Sequence, residues 1–156
     1  MKRILLKLSG EALAGAEKKG FDEATVIAVA KQIRTIVEEG TQVGIVIGGG
    51  NFWRGRTSET IDRNKADQIG MLATVMNCIY VSDICRYLGL RTEIFTPFAC
   101  GAFTSLYSKD AVEEGFAQGK VLFFAGGTGI RISLQIQQPY FVLLRSRQRR
   151  SFLPKP

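Results

Sequence analysis

Short, continuously apolar runs alternate along the chain with longer segments in which apolar residues recur at helical spacing. The apolar runs predict buried strands at residues 3–8, 42–47, 92–95 and 120–125. Helices are predicted between them, from the N-cap Asp22 to Gly40, from about Ala66 to Leu88 before Gly89, and from the N-cap Ser108 to Gly119. Strands that alternate with helices form mostly parallel sheets. The predicted fold is therefore α/β, a mostly parallel sheet sandwiched by helices in three layers.

Three of the predicted strands end in glycine-containing turns, which are Ser9-Gly10, Gly48-Gly49-Gly50 and Gly126-Gly127-Thr128-Gly129. Ligands of parallel sheets bind beyond the carboxyl ends of the strands, and glycine lets backbone N–H groups approach phosphate oxygens. One such turn is only weak evidence for phosphate binding, because glycine often merely ends a strand. Three such turns in one chain favour phosphate binding. Neither the Walker A loop nor the dinucleotide fingerprint fits these turns.

Three charged residues are candidates for chemistry on a phosphate or nucleotide. Lys7 at the end of the first strand and Arg54 after the second turn could neutralise a transferring phosphoryl group. The alternatives are a strand-end lysine that reaches solvent and a surface loop charge. Asp67 could accept hydrogen bonds from ribose hydroxyls, or it could stabilise the dipole of the long helix near whose start it is predicted to lie.

The composition narrows the class of protein. A hydrophobic content of 46% with 22% charged residues indicates a globular domain. The basic start is followed by only three apolar residues before Lys7, so we expect no export signal and a cytoplasmic, non-membrane protein. The three cysteines form no C-x-x-C pair and are expected to be reduced. The absence of histidine excludes histidine-based triads and histidine metal ligands.

The net charge of +7 would suggest a polyanionic partner, but its distribution weakens that interpretation. Residues 130–156 hold six of the 21 basic residues and no acidic one, which leaves 15 basic against 14 acidic residues in 1–129. A non-enzymatic, nucleotide-responsive or nucleic-acid-binding domain stays an alternative, although no nucleic-acid partner is expected.

Four segments together resemble the bacterial-type uridylate (UMP) kinases of the amino-acid-kinase superfamily: KLSGE from Lys7, IVIGGGNFWRG from Ile45, ADQIGMLAT from Ala66 and FFAGGTG from Phe123. The resemblance covers residues 1–129. It implies transfer of the γ-phosphoryl group of ATP to UMP, giving UDP in pyrimidine biosynthesis, with Mg²⁺ accompanying ATP and no metal ligand predicted in this chain. Another kinase of the superfamily, acting on an amino-acid carboxylate or carbamate, is the alternative.

The resemblance also implies roles for individual residues. Lys7 and Arg54 would be catalytic. The ATP-binding residues would be Lys7, Ser9, Gly10, Gly50 and Arg54. The UMP-binding residues would be Gly49, Asp67, Thr128 and Gly129. The segment associated with activation by GTP would be Gly15, Ala16, Glu17, Lys18, Lys19 and Gly20. UTP would be an inhibitor, and the assembly would be a homo-oligomer, a hexamer in the family.

After Gly129 the resemblance stops. The family would continue with a segment like HPYFSTDT, where this chain reads Ile130 to Gln137. One possible coding sequence of the present segment yields HPYFSTDT when a single C is added at its 5′ end. We therefore expect residues 1–129 to be the N-terminal part of an amino-acid-kinase-like domain that is truncated, and residues 130–156 to be a frameshifted tail. Activity of this chain is expected to be weak or absent.

Overall fold

A computed structural model describes residues 1–54, 59–127 and 139–140. The strands are β1 (Arg3–Leu8), β2 (Gln42–Ile47), β3 (Thr92–Thr96), β4 (Ser105–Leu106), β5 (Val121–Phe124) and β6 (Pro139–Tyr140). The α-helices are α1 (Gly10–Leu13), α2 (Glu23–Glu38), α3 (Arg63–Tyr87) and α4 (Lys109–Ala117), with a 3₁₀ turn at Gly15–Glu17. The four predicted strands are confirmed within a residue or two at their ends, whereas α1, the 3₁₀ turn, β4 and β6 were not predicted.

The strands form one sheet in the order β4-β3-β5-β2-β1-β6, and every neighbouring pair is parallel. The prediction of a parallel sheet is confirmed. β6 lies at one edge, where Pro139 is paired with Leu5 and Tyr140 with Leu6. Because all described strands run in the same direction, their carboxyl ends meet at one edge of the sheet.

Helices cover both faces of the sheet, as predicted, because each central strand is apolar on both sides. Along β5, Val121 and Phe123 pack with residues of α2 and α3, whereas Leu122 and Phe124 pack with Val112 of α4 and its neighbours. All four β5 side chains are buried. This double burial explains why the strands read as continuous apolar runs rather than as alternating ones.

Two predicted N-caps are confirmed. The Asp22 carboxylate accepts a hydrogen bond from the Thr25 amide at the start of α2 (3.1 Å), and the Ser108 hydroxyl accepts one from the Ala111 amide in α4 (3.1 Å). Each bond satisfies one of the free N–H groups that a helix leaves at its N-terminus.

The predicted start of α3 at Ala66 was wrong, because the helix begins at Arg63. Its N-cap is Asp62, whose carboxylate accepts hydrogen bonds from the amides of Asn64 and Lys65. The first turn is polar, so hydrophobic periodicity could not detect it, and capping chemistry decides where the helix begins. Asp67 therefore lies in the second turn of α3, outside the first turn where a carboxylate stabilises the helix dipole most.

One face of α3 packs against the core, and the other exposes apolar side chains. Residues such as Ala73, Cys78 and Val81 are buried, whereas Leu72 is 51% and Met76 45% exposed. By length and composition alone α3 could cross a membrane, but a core helix of a soluble protein meets the same criterion. The packing of α3 against β3 and α2 identifies it as a core helix with one exposed apolar stripe.

Candidate functional site

The site lies at the carboxyl edge of the sheet, where β1 leads into α1. The Lys7 side chain is exposed at the end of β1, and Ser9 is the N-cap residue of α1. The Ser9 hydroxyl makes no capping hydrogen bond to the described part of the helix, which leaves this hydroxyl and the first amides of α1 able to bind an oxyanion. The structure thus places Lys7, Ser9 and Gly10 together at the carboxyl edge of the sheet, and their role in ATP binding stays a prediction.

Gly10 lies so close to the second glycine turn that no side chain fits between them. A Cβ atom at Gly10 would be 2.3 Å from the Gly48 carbonyl oxygen and 2.6 Å from Oδ1 of Asn51. The Gly48 amide also donates to the Leu8 carbonyl oxygen at 3.0 Å. The turns that follow β1 and β2 are therefore in direct contact, and glycine at position 10 is required by this close approach.

Gly49 is packed just as tightly against α3. Its Cβ position lies 2.9 Å from the Ala73 Cβ and 3.2 Å from the Gly70 carbonyl oxygen. The Gly49 carbonyl oxygen accepts hydrogen bonds from the amides of Phe52 and Trp53, both at 3.0 Å, which closes the turn. The second turn is thus fixed by its own hydrogen bonds and by the helix behind it.

The third glycine turn, after β5, is held by the same stretch of α3. The Gly126 amide donates to the Thr74 hydroxyl at 2.9 Å, and this hydroxyl donates to the Met71 carbonyl oxygen at 2.6 Å. Gly126 and Gly127 have φ of 96° and 81°, a left-handed conformation that favours glycine. Thr128 and Gly129, the other predicted residues of this turn, lie outside the described residues.

Two buried asparagines that were not predicted as site residues join these segments. Asn51 and Asn77 are 3% and 0% exposed, and their side-chain amides form a reciprocal pair with N···O distances of 2.9 and 2.8 Å. A polar side chain on the core-facing side of α3, between Met76 and Cys78, is the sequence signal that could have indicated Asn77, because a buried amide needs partners.

Arg54 forms an ion pair with a residue that had no predicted role. Its Nη2 atom lies 2.5 Å from Oε1 of Glu11, the second residue of α1. The same carboxylate oxygen lies 3.1 Å from the Cβ position of Gly50, so Glu11, Gly50 and Arg54 are neighbours. Both side chains of the pair are about half exposed, which leaves the guanidinium accessible to a phosphate. Arg54 and Gly50, two residues of the predicted ATP-binding set, are therefore neighbours, and their role stays a prediction.

Asp67 is exposed on α3, one helical turn before Gly70. Residues three apart lie on the same face of a helix. The Gly70 carbonyl oxygen lies against Gly49, so Asp67 is one helical turn from the part of α3 that carries the second glycine turn. The two residues predicted to bind UMP within the described chain, Gly49 and Asp67, are therefore both associated with the N-terminal half of α3, and their roles stay predictions.

The segment from Gly15 to Gly20 is joined to the second turn through Asn51. Gly20 donates its amide to the Asn51 carbonyl oxygen at 3.2 Å, and its own carbonyl oxygen accepts from Asn51 Nδ2 at 2.8 Å. Phe21, the next residue, is stacked on Tyr80 of α3 with ring centroids 3.9 Å apart. The predicted effector segment and the predicted phosphate turn are thus in direct contact.

Comparison with known proteins identifies the family of the chain. The amino acid kinase family matches residues 2–140. The uridylate kinases of Fervidobacterium nodosum and Thermotoga petrophila are 46% and 40% identical to the chain over 127 and 126 residues, which is 81% of the chain and 54% of each relative. The chain therefore spans about half the length of the curated relatives it matches.

Solved structures give the same result. The UMP kinase from Bacillus anthracis superposes with a TM-score of 0.78 at 34% identity, over 83% of this chain and 54% of that protein. The UMP kinase from Ureaplasma parvum superposes with a TM-score of 0.77 at 30% identity, over 83% and 57% respectively. The resemblance found in the sequence is confirmed, and the chain belongs to the amino acid kinase family.

Proposed function

We propose that the chain carries the phosphate-binding and UMP-binding part of a UMP kinase, which transfers the γ-phosphoryl group of ATP to UMP. One observation carries the proposal: the three glycine turns converge on residues 70–77 of α3 at the edge where Lys7 is exposed. Phosphoryl transfer depends on positioning and on charge neutralisation, and this edge provides backbone amides and cations for both.

The proposed roles follow from the placement of each group. Lys7 would stabilise the transferring phosphoryl group, with Ser9, Gly10 and Gly50 donating hydrogen bonds to the phosphates of ATP. Arg54, oriented by Glu11, would add a second cation. UMP would lie towards α3, with Gly49 at its phosphate and Asp67 at its ribose, and Thr128 and Gly129 would complete its site.

Mg²⁺ would enter with ATP and supply additional positive charge on the phosphates. The residues described by the structure contain no cluster of three or more His, Cys, Asp or Glu side chains able to hold a metal ion. A metal carried by phosphate oxygens suits a site built from backbone amides and cationic side chains. Activation by GTP through residues 15–20, inhibition by UTP and a cytoplasmic location stay predictions.

Nucleotide binding by the purified chain tests the proposal. Isothermal titration with UMP, and separately with ATP and Mg²⁺, should show saturable binding. Lys7→Ala should weaken ATP binding about tenfold or more, because a hydrogen bond to a charged group contributes about 1.5–3 kcal/mol. Lys31→Ala, on an exposed position of α2, is the matched control. Equal ATP affinity of the two variants would contradict the role of Lys7.

Turnover is a separate question, because the chain spans about half of its relatives. We expect little or no UDP formation from ATP and UMP by the 156-residue protein, since an incomplete site loses positioning. Turnover near that of a full-length relative would refute this expectation. The frameshift prediction is checked by sequencing the encoding DNA after codon 129, where an intact frame with a different 3′ end would refute it.

The exposed stripe on α3 supports the proposal of a homo-oligomer. Ile69, Leu72, Met76 and Ile79 follow helical spacing and are each 38–51% exposed. Contiguous apolar surface of this kind marks interaction sites. Sedimentation should show a multimer that Leu72→Glu dissociates, whereas Phe103→Glu, in the loop before β4, should leave it intact. A monomeric parent chain would refute this assembly.

A further inference from the structure

The buried amides of Asn51 and Asn77 form a closed hydrogen-bonded network. Besides the reciprocal pair, Asn51 Nδ2 donates to the Gly20 carbonyl oxygen at 2.8 Å, and Asn77 Nδ2 donates to the Gly48 carbonyl oxygen at 2.7 Å. Each amide nitrogen therefore uses both of its N–H groups, and each side-chain oxygen accepts one bond. The network is fully satisfied although both residues are almost completely buried.

The geometry fixes the orientation of both amides. If either group were rotated by 180°, its oxygen would face a backbone carbonyl oxygen, and the reciprocal bond would be lost. An apolar pair of similar volume could fill the space, but it would leave the Gly20 and Gly48 carbonyl groups without these donors. The asparagines thus fix the distance and the direction between the segments that carry Gly20 and Gly48, whereas apolar packing does not impose a direction.

Four segments meet at this network. Asn77 belongs to α3, Asn51 and Gly48 to the turn after β2, and Gly20 to the segment before α2. Gly10 completes the set, because its Cβ position lies 2.6 Å from Asn51 Oδ1 and 3.1 Å from Asn77 Nδ2. The pair therefore lies directly beneath the contact between the first two glycine turns.

We propose that Asn51 and Asn77 are positioning residues, which hold the glycine turns after β1 and β2 at the separation that nucleotide phosphates require. The nucleotide part of this inference rests on the proposed function. Both asparagine side chains are buried and would act through the carbonyl groups of Gly48 and Gly20. Their removal should loosen the turns before it disturbs the sheet.

The first test compares two neighbouring buried residues of α3 by hydrogen–deuterium exchange without ligand. Asn77→Ala should raise exchange at least tenfold in peptides that cover residues 10–14 and 48–54, and leave peptides from β5 within twofold of the parent chain. Cys78→Ala, also 0% exposed, is the control and should lower the melting temperature without selective exchange at the turns. Equal exchange at the turns in the two variants would overturn the positioning role.

The second test measures UMP affinity at a temperature where circular dichroism shows each variant fully folded. Asn77→Ala should bind UMP at least tenfold more weakly than the parent chain, and Cys78→Ala within twofold of it. Equal affinity of the two variants would overturn the link to nucleotide binding. If the parent chain failed to bind UMP while the exchange difference appeared, the proposed function would fail and the positioning of the turns would stand.

A folding failure of the first variant does not end the comparison. Asn51→Ala removes the other half of the pair from the loop and should give the same selective exchange at the turns. If both asparagine variants failed to fold while Cys78→Ala folded, the pair would be a general determinant of stability, and the specific positioning role would be overturned.

Discussion

Gly10→Ala tests the contact between the first two glycine turns, because it adds one methyl group where the structure has no space. The new Cβ atom would lie 2.3 Å from the Gly48 carbonyl oxygen, whereas carbon and oxygen atoms normally approach to about 3.3 Å. One of the turns must therefore move by roughly 1 Å. Gly48 cannot move freely, because its carbonyl oxygen accepts a hydrogen bond from Asn77.

The cost can be worked out from these contacts. Overpacking costs about 1–3 kcal/mol, and loss of the acceptor of a buried amide costs about 1–3 kcal/mol more. The higher helix propensity of alanine at the first residue of α1 offsets at most about 1 kcal/mol. We therefore expect Gly10→Ala to lower the free energy of unfolding by about 3 kcal/mol.

Urea denaturation followed by circular dichroism measures this change. The matched control is Gly40→Ala, at a φ of 83° with open space around the Cβ position, which should cost about 1–2 kcal/mol through backbone strain alone. A loss for Gly10→Ala no larger than that of Gly40→Ala would refute the close approach of the turns.

Two further predictions concern the thiols and one ion pair. Burial raises the pKa of Cys85 to about 12 and also raises that of Cys78. A thiol reagent at pH 8 should therefore label only Cys100 in the folded protein. Labelling of all three cysteines before unfolding would refute this prediction. Hydrogen bonds from the Arg3 guanidinium (2.8 Å) lower the pKa of Glu113 in the folded state. The ion pair therefore stabilises the folded protein above the unfolded pKa of about 4.3, and this contribution is lost as the pH falls through the folded-state pKa. Glu113→Gln should therefore cost less than about 1 kcal/mol at pH 7 and progressively less as the pH is lowered below about 4.3, and a loss that does not change with pH would contradict the assignment.

Much of the fold could be predicted from the sequence, because it depends on patterns among residues that are close together along the chain. The strands could be predicted because burial on both faces leaves no polar position within β2 or β5 after Gln42. The N-caps Asp22 and Ser108 could be predicted because capping chemistry is local. The start of α3 at Arg63 could not, since its first turn carries no large apolar residue that marks the helix.

The sequence locates the glycine turns of the candidate site but not the contacts that hold these turns together. Three glycine turns, each directly after a predicted strand, favour phosphate binding and can be located in the sequence alone. The pairing of Asn51 with Asn77, by contrast, joins residues 26 positions apart, and the ion pair of Glu11 with Arg54 also depends on tertiary structure. These pairings depend on how α1, α3 and the loop after β2 pack together, so a local pattern can mark Asn77 as a buried polar residue but cannot identify its partner.

The central claim is that the glycine turns at the carboxyl edge of the sheet bind the phosphates of a nucleotide. A UMP titration of the ¹⁵N-labelled chain, followed by NMR, tests it most directly. We predict saturable shifts that are largest for the amides of Gly10, Gly49 and Gly50 and small for those of α4. The absence of saturable shifts, or shifts centred on α4, would contradict the account.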